Sequence, residues 1–288
     1  MRTLRTVAQL RAALAEPRRA GRSVALVPTM GYLHDGHVSL IAAARDAADE
    51  VVVSLFVNPA QFNEAADLDA YPRDEARDAA MAAEAGADLL FAPPVDEVYP
   101  PGFATQVRVG GPLTETLEGA HRGAEHFHGV TTVVCKLLNM VQPDVAFFGQ
   151  KDAQQALVIR RMVADLDLPV RVEVAATIRE DDGLAMSSRN VRLNSEDRRR
   201  AAGLSAALRA AEQTLATGTR AAAALDAAAR RALEDFDVEP EYLALVDPES
   251  LAPVGAVDQE TLLAVAARVG DVRLIDNTIL DPNGRREA

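Results

Sequence analysis

Apolar residues along the chain follow two rhythms, and their alternation predicts the architecture. Near-continuous apolar runs occur at Ser23-Val24-Ala25-Leu26-Val27-Pro28, at the β-branched Val51-Val52-Val53-Ser54-Leu55-Phe56-Val57, and over residues 88–92, 144–148 and 170–178. Each has the length of a strand, and all but the last, where Arg171 and Glu173 alternate with valines, lack a polar face. Between them apolar positions recur at helical spacing: Val7, Leu10 and Leu14 before the first run, Val38, Ile41 and residues 44–48 after it, then residues 74–86, 129–141 and 151–165. Strands without a polar face, separated by helices, imply a parallel sheet covered on both sides, because each parallel crossover lays its helix over the sheet. Residues 1–178 are therefore expected to form a Rossmann-like α/β layer, in which ligands bind beyond the carboxyl ends of the strands.

From Asn194 the rhythm changes. Alanine-rich helical stretches carry Leu204, Leu208 and Leu215, then Leu225, Ala229, Leu233 and Phe236, with Gly218 between them. Beyond Pro240, residues 242–246, 262–269 and 272–280 read as strands, the last two joined by the hairpin signal Gly270-Asp271. Residues 179–288 are expected to form a smaller C-terminal α+β domain, with the boundary near residues 178–182.

Composition narrows the classes. The 288 residues are 49% hydrophobic, enough for two ordinary cores. Aromatics make up only 4% and tryptophan is absent, so alanine, valine and leucine must build the interior, which suits helices on a sheet better than a β-sandwich. A formal charge of −13 denies the chain as a whole the basic footprint that nucleic acid or anionic lipid requires. An anionic substrate would need a local basic pocket. The single cysteine, Cys135, lies in an apolar run and reads as a core thiol. No stretch approaches the length of a membrane span and the N-terminus has no long apolar core, so a cytoplasmic location is expected.

Candidate chemistry concentrates in Pro28-Thr29-Met30-Gly31-Tyr32-Leu33-His34-Asp35-Gly36-His37, between the first core strand and its helix. Gly31 and Gly36 permit close backbone approach, His34 and His37 can share a helical face, and the helix start offers unpaired N–H groups to an anion. The segment lacks the glycine spacing of a dinucleotide fingerprint and the Gly-Lys-Ser/Thr ending of a P-loop. A metal site would need a third ligand, and none of suitable spacing lies nearby. Asn58 and Gln61 follow the second strand, where amides can both donate to and accept from a hydroxy acid. Gly149 and Lys151 open a helix after another strand, with Lys151 able to present a point charge to phosphate. Ser187, Ser188 and Arg189 follow an acidic turn, Glu180-Asp181-Asp182-Gly183, expected to be flexible, as a phosphate clamp would. His121, His126 and His128 are expected in an exposed loop rather than a metal cluster, and Arg198-Arg199-Arg200 on a solvated helix face with no binding role.

The segment over residues 28–37 resembles the histidine-glycine-histidine signature of the nucleotidyltransferase superfamily, in the form carried by pantothenate synthetases. Phe56-Val57-Asn58-Pro59-Ala60-Gln61-Phe62, Phe148-Gly149-Gln150-Lys151-Asp152-Ala153-Gln154-Gln155 and Met186-Ser187-Ser188-Arg189-Asn190 resemble further blocks of that family, in order, over residues 23–195. The resemblance implies an ATP site lined by Met30, Gly31, Tyr32, Leu33, His34, Asp35, Gly36, His37, Gly149, Gln150, Lys151, Asp152, Ile178, Met186, Ser187, Ser188 and Arg189. It implies that Gln61 and Gln155 hold pantoate, with Asn58 beside them, and it aligns Arg122 with a substrate-binding arginine. Many relatives carry glutamate where this chain has Gln150, and the stretch from Arg122 to His126-Phe127 is one residue longer than usual.

The implied reaction has two steps. The carboxylate of pantoate attacks the α-phosphate of ATP, releasing pyrophosphate, and the amine of β-alanine then attacks the pantoyl adenylate to give pantothenate and AMP. His34, His37, Lys151, Ser187, Ser188, Arg189 and Mg²⁺ would stabilise the developing charge, with His37 as proton donor and no covalent enzyme intermediate. The resemblance also implies a homodimer. The histidine signature alone would equally serve a nucleotidyltransferase that leaves the nucleotide on its product, and the same sheet could carry a catalytically silent nucleotide- or partner-binding module.

Overall fold

The computed structural model describes residues 1–62 and 68–284. They fall into two compact units, Met1–Gln150 with Gln154–Ala176, and Lys151–Ala153 with Thr177–Ala288. In the first unit the apolar runs form one sheet of β1 (Arg2–Leu4), β2 (Val24–Thr29), β3 (Glu50–Leu55), β4 (Leu89–Phe91), β5 (Val145–Gly149) and β6 (Arg171–Ala175). Neighbours are parallel throughout, in the order β1-β4-β3-β2-β5-β6. From β2 the chain steps outward through β3 and β4, then returns to lay β5 and β6 on the other side, so the order reverses between β2 and β5. The edge strand β1 was absent from the sequence expectation because three residues are too few to show a period.

Alternation along β2 explains the two covered faces. Val24 and Leu26 join a core with Leu10, Leu14, Leu137, Ile159 and Met162, whereas Ala25 and Val27 join one with Leu33, Leu40, Ile41, Ala44 and Ala82. Helices α1 (Val7–Arg19), α4 (Ala124–Val141) and α5 (Ala153–Asp165) therefore cover one face, and α2 (Asp35–Ala47) and α3 (Glu75–Glu84) cover the other. Burying each such leucine or isoleucine contributes about 1.5–3 kcal/mol. Aspartates tie the amino ends of the strands, Asp144 accepting from Val24 N at 2.7 Å and Asp88 from Val51 N at 2.9 Å.

The second unit holds α6 (Ser195–Ala216), α7 (Ala222–Glu234) and an antiparallel sheet of β7 (Pro240–Val246), β8 (Thr261–Val269) and β9 (Val272–Leu280). Asn194 starts α6 by accepting from the N–H groups of Glu196 and Asp197, both at 2.9 Å. Leu204, Leu208, Leu225 and Leu233 pack on Leu243, Leu245, Leu263, Val265 and Leu274. Gly270, at φ +56°, makes the β8–β9 hairpin. The α/β layer and the smaller α+β unit are those the hydrophobic pattern predicts.

Helix α4 departs from expectation at its start. Its periodicity predicts a beginning at Gly129, but the helix starts at Ala124 and carries Gly129 in its interior. The glycine is there for space: a Cβ would sit 2.2 Å from the carbonyl oxygen of Ala60 and 2.7 Å from Gln61 N. Gly129→Ala should cost about 1–3 kcal/mol by overpacking, more than the helix-propensity gain of about 1 kcal/mol. Urea unfolding checks this; a midpoint equal to that of the unmodified protein would show that the contact relaxes freely.

Candidate functional site

The segment after β2 is built by backbone strain and a buried acid. Thr29 Oγ1 donates to Ser54 O at 2.7 Å and accepts from Gly31 N at 3.2 Å. Gly31 and Tyr32 then take φ values of +88° and +52°. Gly31 suits its positive φ, and a Cβ there would also stand 2.9 Å from Leu55 Cδ1 and 3.1 Å from Asp78 Oδ2, so those side chains would have to shift. Tyr32 has a Cβ, so its left-handed backbone costs about 1–2 kcal/mol. Asp78, on α3 and 1% exposed, offsets this: its Oδ2 accepts from Tyr32 N and its Oδ1 from Leu33 N, both at 2.7 Å. Hydrogen bonds to a charged group contribute about 1.5–3 kcal/mol each, which outweighs the backbone cost. The Arg77 guanidinium lies 5.3 Å from the Tyr32 ring centroid. Asp78 escaped the sequence analysis, although it shares the buried face of α3 with Ala82, one turn on.

Beyond this turn Leu33 is fully buried and His34 caps α2 in an extended conformation. The His34 carbonyl accepts from His37 N at 2.7 Å and Val38 N at 3.1 Å, and the His34 N–H donates to His37 Nδ1 at 3.3 Å. The two imidazoles stack with centroids 4.1 Å apart and a 41° tilt. Because Nδ1 of His37 accepts, the neutral ring carries its proton on Nε2. Asp35 and Gly36 occupy the first two helical positions, where backbone N–H groups precede the first intrahelical bond and the helix dipole is positive. Met30, Gly31, Tyr32, Leu33, His34, Asp35, Gly36 and His37 thus form one continuous turn onto a helix start.

The amides after β3 form a second cluster. Asn58 Nδ2 donates to Gly129 O at 3.1 Å and Gln61 Oε1 at 3.0 Å, while its Oδ1 accepts from Ala60 N at 3.3 Å and from the Tyr99 hydroxyl at 2.7 Å. Burial pushes the Tyr99 phenol up to about 12, so it remains a donor through the neutral range. All four hydrogen-bonding positions of the Asn58 amide are spent inside the fold, and the residue is 1% exposed. Asn58 thus holds Gln61, whose Nε2 reaches Met30 Sδ at 3.1 Å. The exposed histidine loop is corrected. His126 and His128 lie in the first turns of α4, with His126 Nδ1 2.8 Å from Gln61 O and His128 beside Glu125; only His121 is exposed. Arg122 pairs with Glu118 at 3.0 Å on a short helix. Gln154, buried, fixes that segment by accepting from Glu118 N and donating to Leu113 O and Thr116 O, while Gln155 is half-buried.

β3, β2 and β5 are neighbours, so the segments that follow them share the carboxyl edge of the sheet. Residues 58–61, 30–37 and 149–150 stand there, flanking the point where strand order reverses. A Cβ on Gly149 would meet no protein atom within 4 Å, so protein packing does not require that glycine.

The remaining candidates belong to the second unit. Lys151 Nζ lies 3.7 Å from Asp152 Oδ1, and Lys151 O accepts from Asn277 Nδ2 at 2.9 Å. The neighbouring Asp276 is buried against Arg179, with contacts of 2.6 and 3.0 Å; burial raises its carboxyl and Arg179 opposes the rise. The acidic turn, expected to be flexible, is tied at several points. Ile178 O accepts from Met186 N, Arg179 bridges to Ala185, and Glu180 N donates to Leu184 O. Ser187 Oγ accepts from Arg189 N at 3.2 Å, with Ser188 between them. Asn190, buried, donates to Glu180 Oε1 and Ala185 O. Arg198, placed by sequence on a solvated face, instead reaches both Glu180 and Asp182 at 2.6 Å.

These pairs set an acid limit. Burial alone would raise Glu180, but hydrogen bonds from Arg198 and Asn190 hold it below the usual carboxylate range; Asp182 is lowered chiefly by Arg198. Carboxyls lowered on folding stabilise above their unfolded values near pH 4, and that contribution fades as pH falls through the folded values. Arg198→Met should therefore cost about 1 kcal/mol at pH 7, limited by solvent screening, and the difference should shrink below about pH 4. Denaturant midpoints at pH 7 and pH 3 measure it; a pH-independent difference would assign the loss to packing.

The model of the pantoate-beta-alanine ligase family matches residues 2–279. Pantothenate synthetase 1 of Bradyrhizobium diazoefficiens is 52% identical over 281 residues, covering 97% of this chain and 98% of its own. The crystal structure of pantothenate synthetase from Thermus thermophilus superposes with a TM-score of 0.93 at 50% identity, covering 98% of this chain and all of its own. A pantoate-beta-alanine ligase from Francisella tularensis, solved in complex with beta-gamma ATP and beta-alanine, superposes with a TM-score of 0.81 at 30% identity over 97% of both chains. A match over nearly the whole length, on the same two-unit succession of elements, means that the chain belongs to the pantoate–β-alanine ligase family.

Proposed function

We propose that the chain joins pantoate to β-alanine through a pantoyl adenylate, consuming ATP and releasing pyrophosphate and AMP. The observation that carries this is the convergence of the His34–His37 helix start, the Gln61 amide cluster and Gly149 at the carboxyl edge where strand order reverses, the place at which open α/β sheets take ligands. The ATP analogue and β-alanine named for the Francisella relative support the same substrates here.

A pantoate carboxylate oxygen attacks the α-phosphorus of ATP, the bond to the β-phosphate breaks and pyrophosphate leaves. The N–H groups of Asp35 and Gly36 and the Nε2–H of His37 offer donors to phosphate oxygens on which charge develops, with His37 as proton donor. Lys151, Ser187, Ser188 and Arg189 add charge and hydroxyl contacts, and Gly149, Gln150, Asp152, Ile178 and Met186 complete the nucleotide contacts. Gln61 and Gln155 hold the hydroxy acid, with Arg122 as a further substrate contact. ATP enters as its magnesium complex, the ion held largely by phosphates and water, since Mg²⁺ is usually bound through one or two carboxylates and substrate phosphates. In the second step the neutral amine of β-alanine attacks the acyl carbon, the bond to AMP breaks, and the amine proton is lost as the amide forms. Residues 1–178 would supply the pantoate contacts and most of the ATP contacts, and residues 186–189 the rest. A cytoplasmic homodimer, as the family resemblance implies, completes the proposal.

Product analysis tests this. Pantoate, β-alanine and ATP should yield pantothenate, AMP and pyrophosphate in equal amounts, with AMP appearing only when both organic substrates are present. A product that retains the nucleotide would replace this reading with the nucleotidyltransferase one. His37→Ala should lower kcat/KM by at least about 100-fold, the usual scale for loss of a general acid, while leaving a folded protein. Retained turnover would remove His37 from the mechanism.

A further inference from the structure

We infer that Asp78 is the positioning residue of the ATP-binding turn: it holds the Tyr32 and Leu33 peptides so that His34 and the start of α2 meet the triphosphate. The inference rests on the proposed use of residues 30–37 for ATP, and it adds a residue outside the sequence motifs quoted above.

Three features separate this role from an ordinary buried acid. Both carboxylate oxygens are committed, one to each of two successive N–H groups at 2.7 Å, so the contact fixes the direction of a peptide pair as well as its place. The held residues follow Gly31 at φ +88° and include Tyr32 at φ +52°, a backbone path that a chain with side chains does not keep unaided. The turn leads without an intervening residue from Leu33 into His34, whose carbonyl and N–H both bond His37. A displacement of Tyr32 and Leu33 therefore passes directly to both histidines. Asp78 is only 1% exposed, so it acts through the two peptides it holds.

Asp78→Asn keeps the volume but leaves one acceptor for two N–H groups and turns an amide donor toward the second. The variant should stay folded, with kcat lowered at least tenfold and KM for ATP raised at least tenfold, while KM for β-alanine stays within twofold; misplacing a reacting group by about 1 Å can cost on the order of 100-fold. Amide hydrogen exchange at Tyr32 and Leu33 should accelerate in the variant while that of the core strands does not. A folded variant with kcat and KM for ATP within twofold of the unmodified protein overturns the inference, as does an equal rise in both KM values. Should Asp78→Asn not fold, exchange in the unmodified protein decides: protected Tyr32 and Leu33 amides support the role, and unprotected ones overturn it. If the unmodified protein forms no AMP from ATP, pantoate and β-alanine, the ligase proposal itself fails; if it does and Asp78→Asn is unaffected, only the role of Asp78 fails.

Discussion

A strand buried on both faces has no wet side on which to end, so the centre of a parallel sheet must turn its chain sharply at the carboxyl edge. β2 is such a strand, with side chains entering two separate cores. Its exit is the turn from Thr29 to His34, and that turn needs positive φ at Gly31 and Tyr32. Much of the site follows from this constraint. The glycine is favoured by backbone and space together, the tyrosine's strain is offset by an acid, and α2 then begins with its first N–H groups at the sheet edge. The neighbouring strands end alongside it, bringing the Asn58–Gln61 amides and Gly149 to the same edge.

What was legible in the sequence divides along physical lines. Continuous apolar runs report burial on two faces, so β2, β3, β5 and the C-terminal hairpin stood out, and the spacing of leucines showed α6 and α7. Motif glycines and histidines also stood out, because few other segments combine them at a strand end. Elements that depend on a distant partner left no local trace. β1 exists by pairing with β4, and three residues carry no period. The interior position of Gly129 depends on the carbonyl of Ala60, so the glycine looked like a boundary. Arg198 looked solvated because Glu180 and Asp182 lie in another part of the sequence. The partners of the Asn58 amide, Gly129, Ala60, Gln61 and Tyr99, could not be read locally, since Gly129 and Tyr99 come from distant segments.

The charge balance bears on how such a chain can take a triphosphate. At a formal −13, long-range attraction does not favour an anion. Several arginines of these segments are already committed, Arg122 to Glu118, Arg179 to Asp276 and Arg198 to Glu180 and Asp182. Attraction at the turn after β2 must then be local, and the positive end of α2 is one such source. Local dipoles fixed by the fold act over a few ångströms and need no net positive surface.

A buried carboxylate beside a proposed triphosphate site would be self-defeating if its charge were bare, and its hydrogen bonds explain why it is not. The charge of Asp78 is directed into two N–H dipoles, each 2.7 Å away, with Arg77 Nη1 3.8 Å from Oδ1. The two bonds place the positive ends of N–H dipoles against both oxygens. The same two bonds fix which donors remain for the ligand. Tyr32 and Leu33 turn their N–H groups toward Asp78, and the His37 N–H is taken by the His34 carbonyl, so Asp35 and Gly36 stand first at the helix start. A neutral amide at position 78 would relieve the repulsion yet leave the turn held by one bond, so the carboxylate exchanges some electrostatic cost for direction in the backbone.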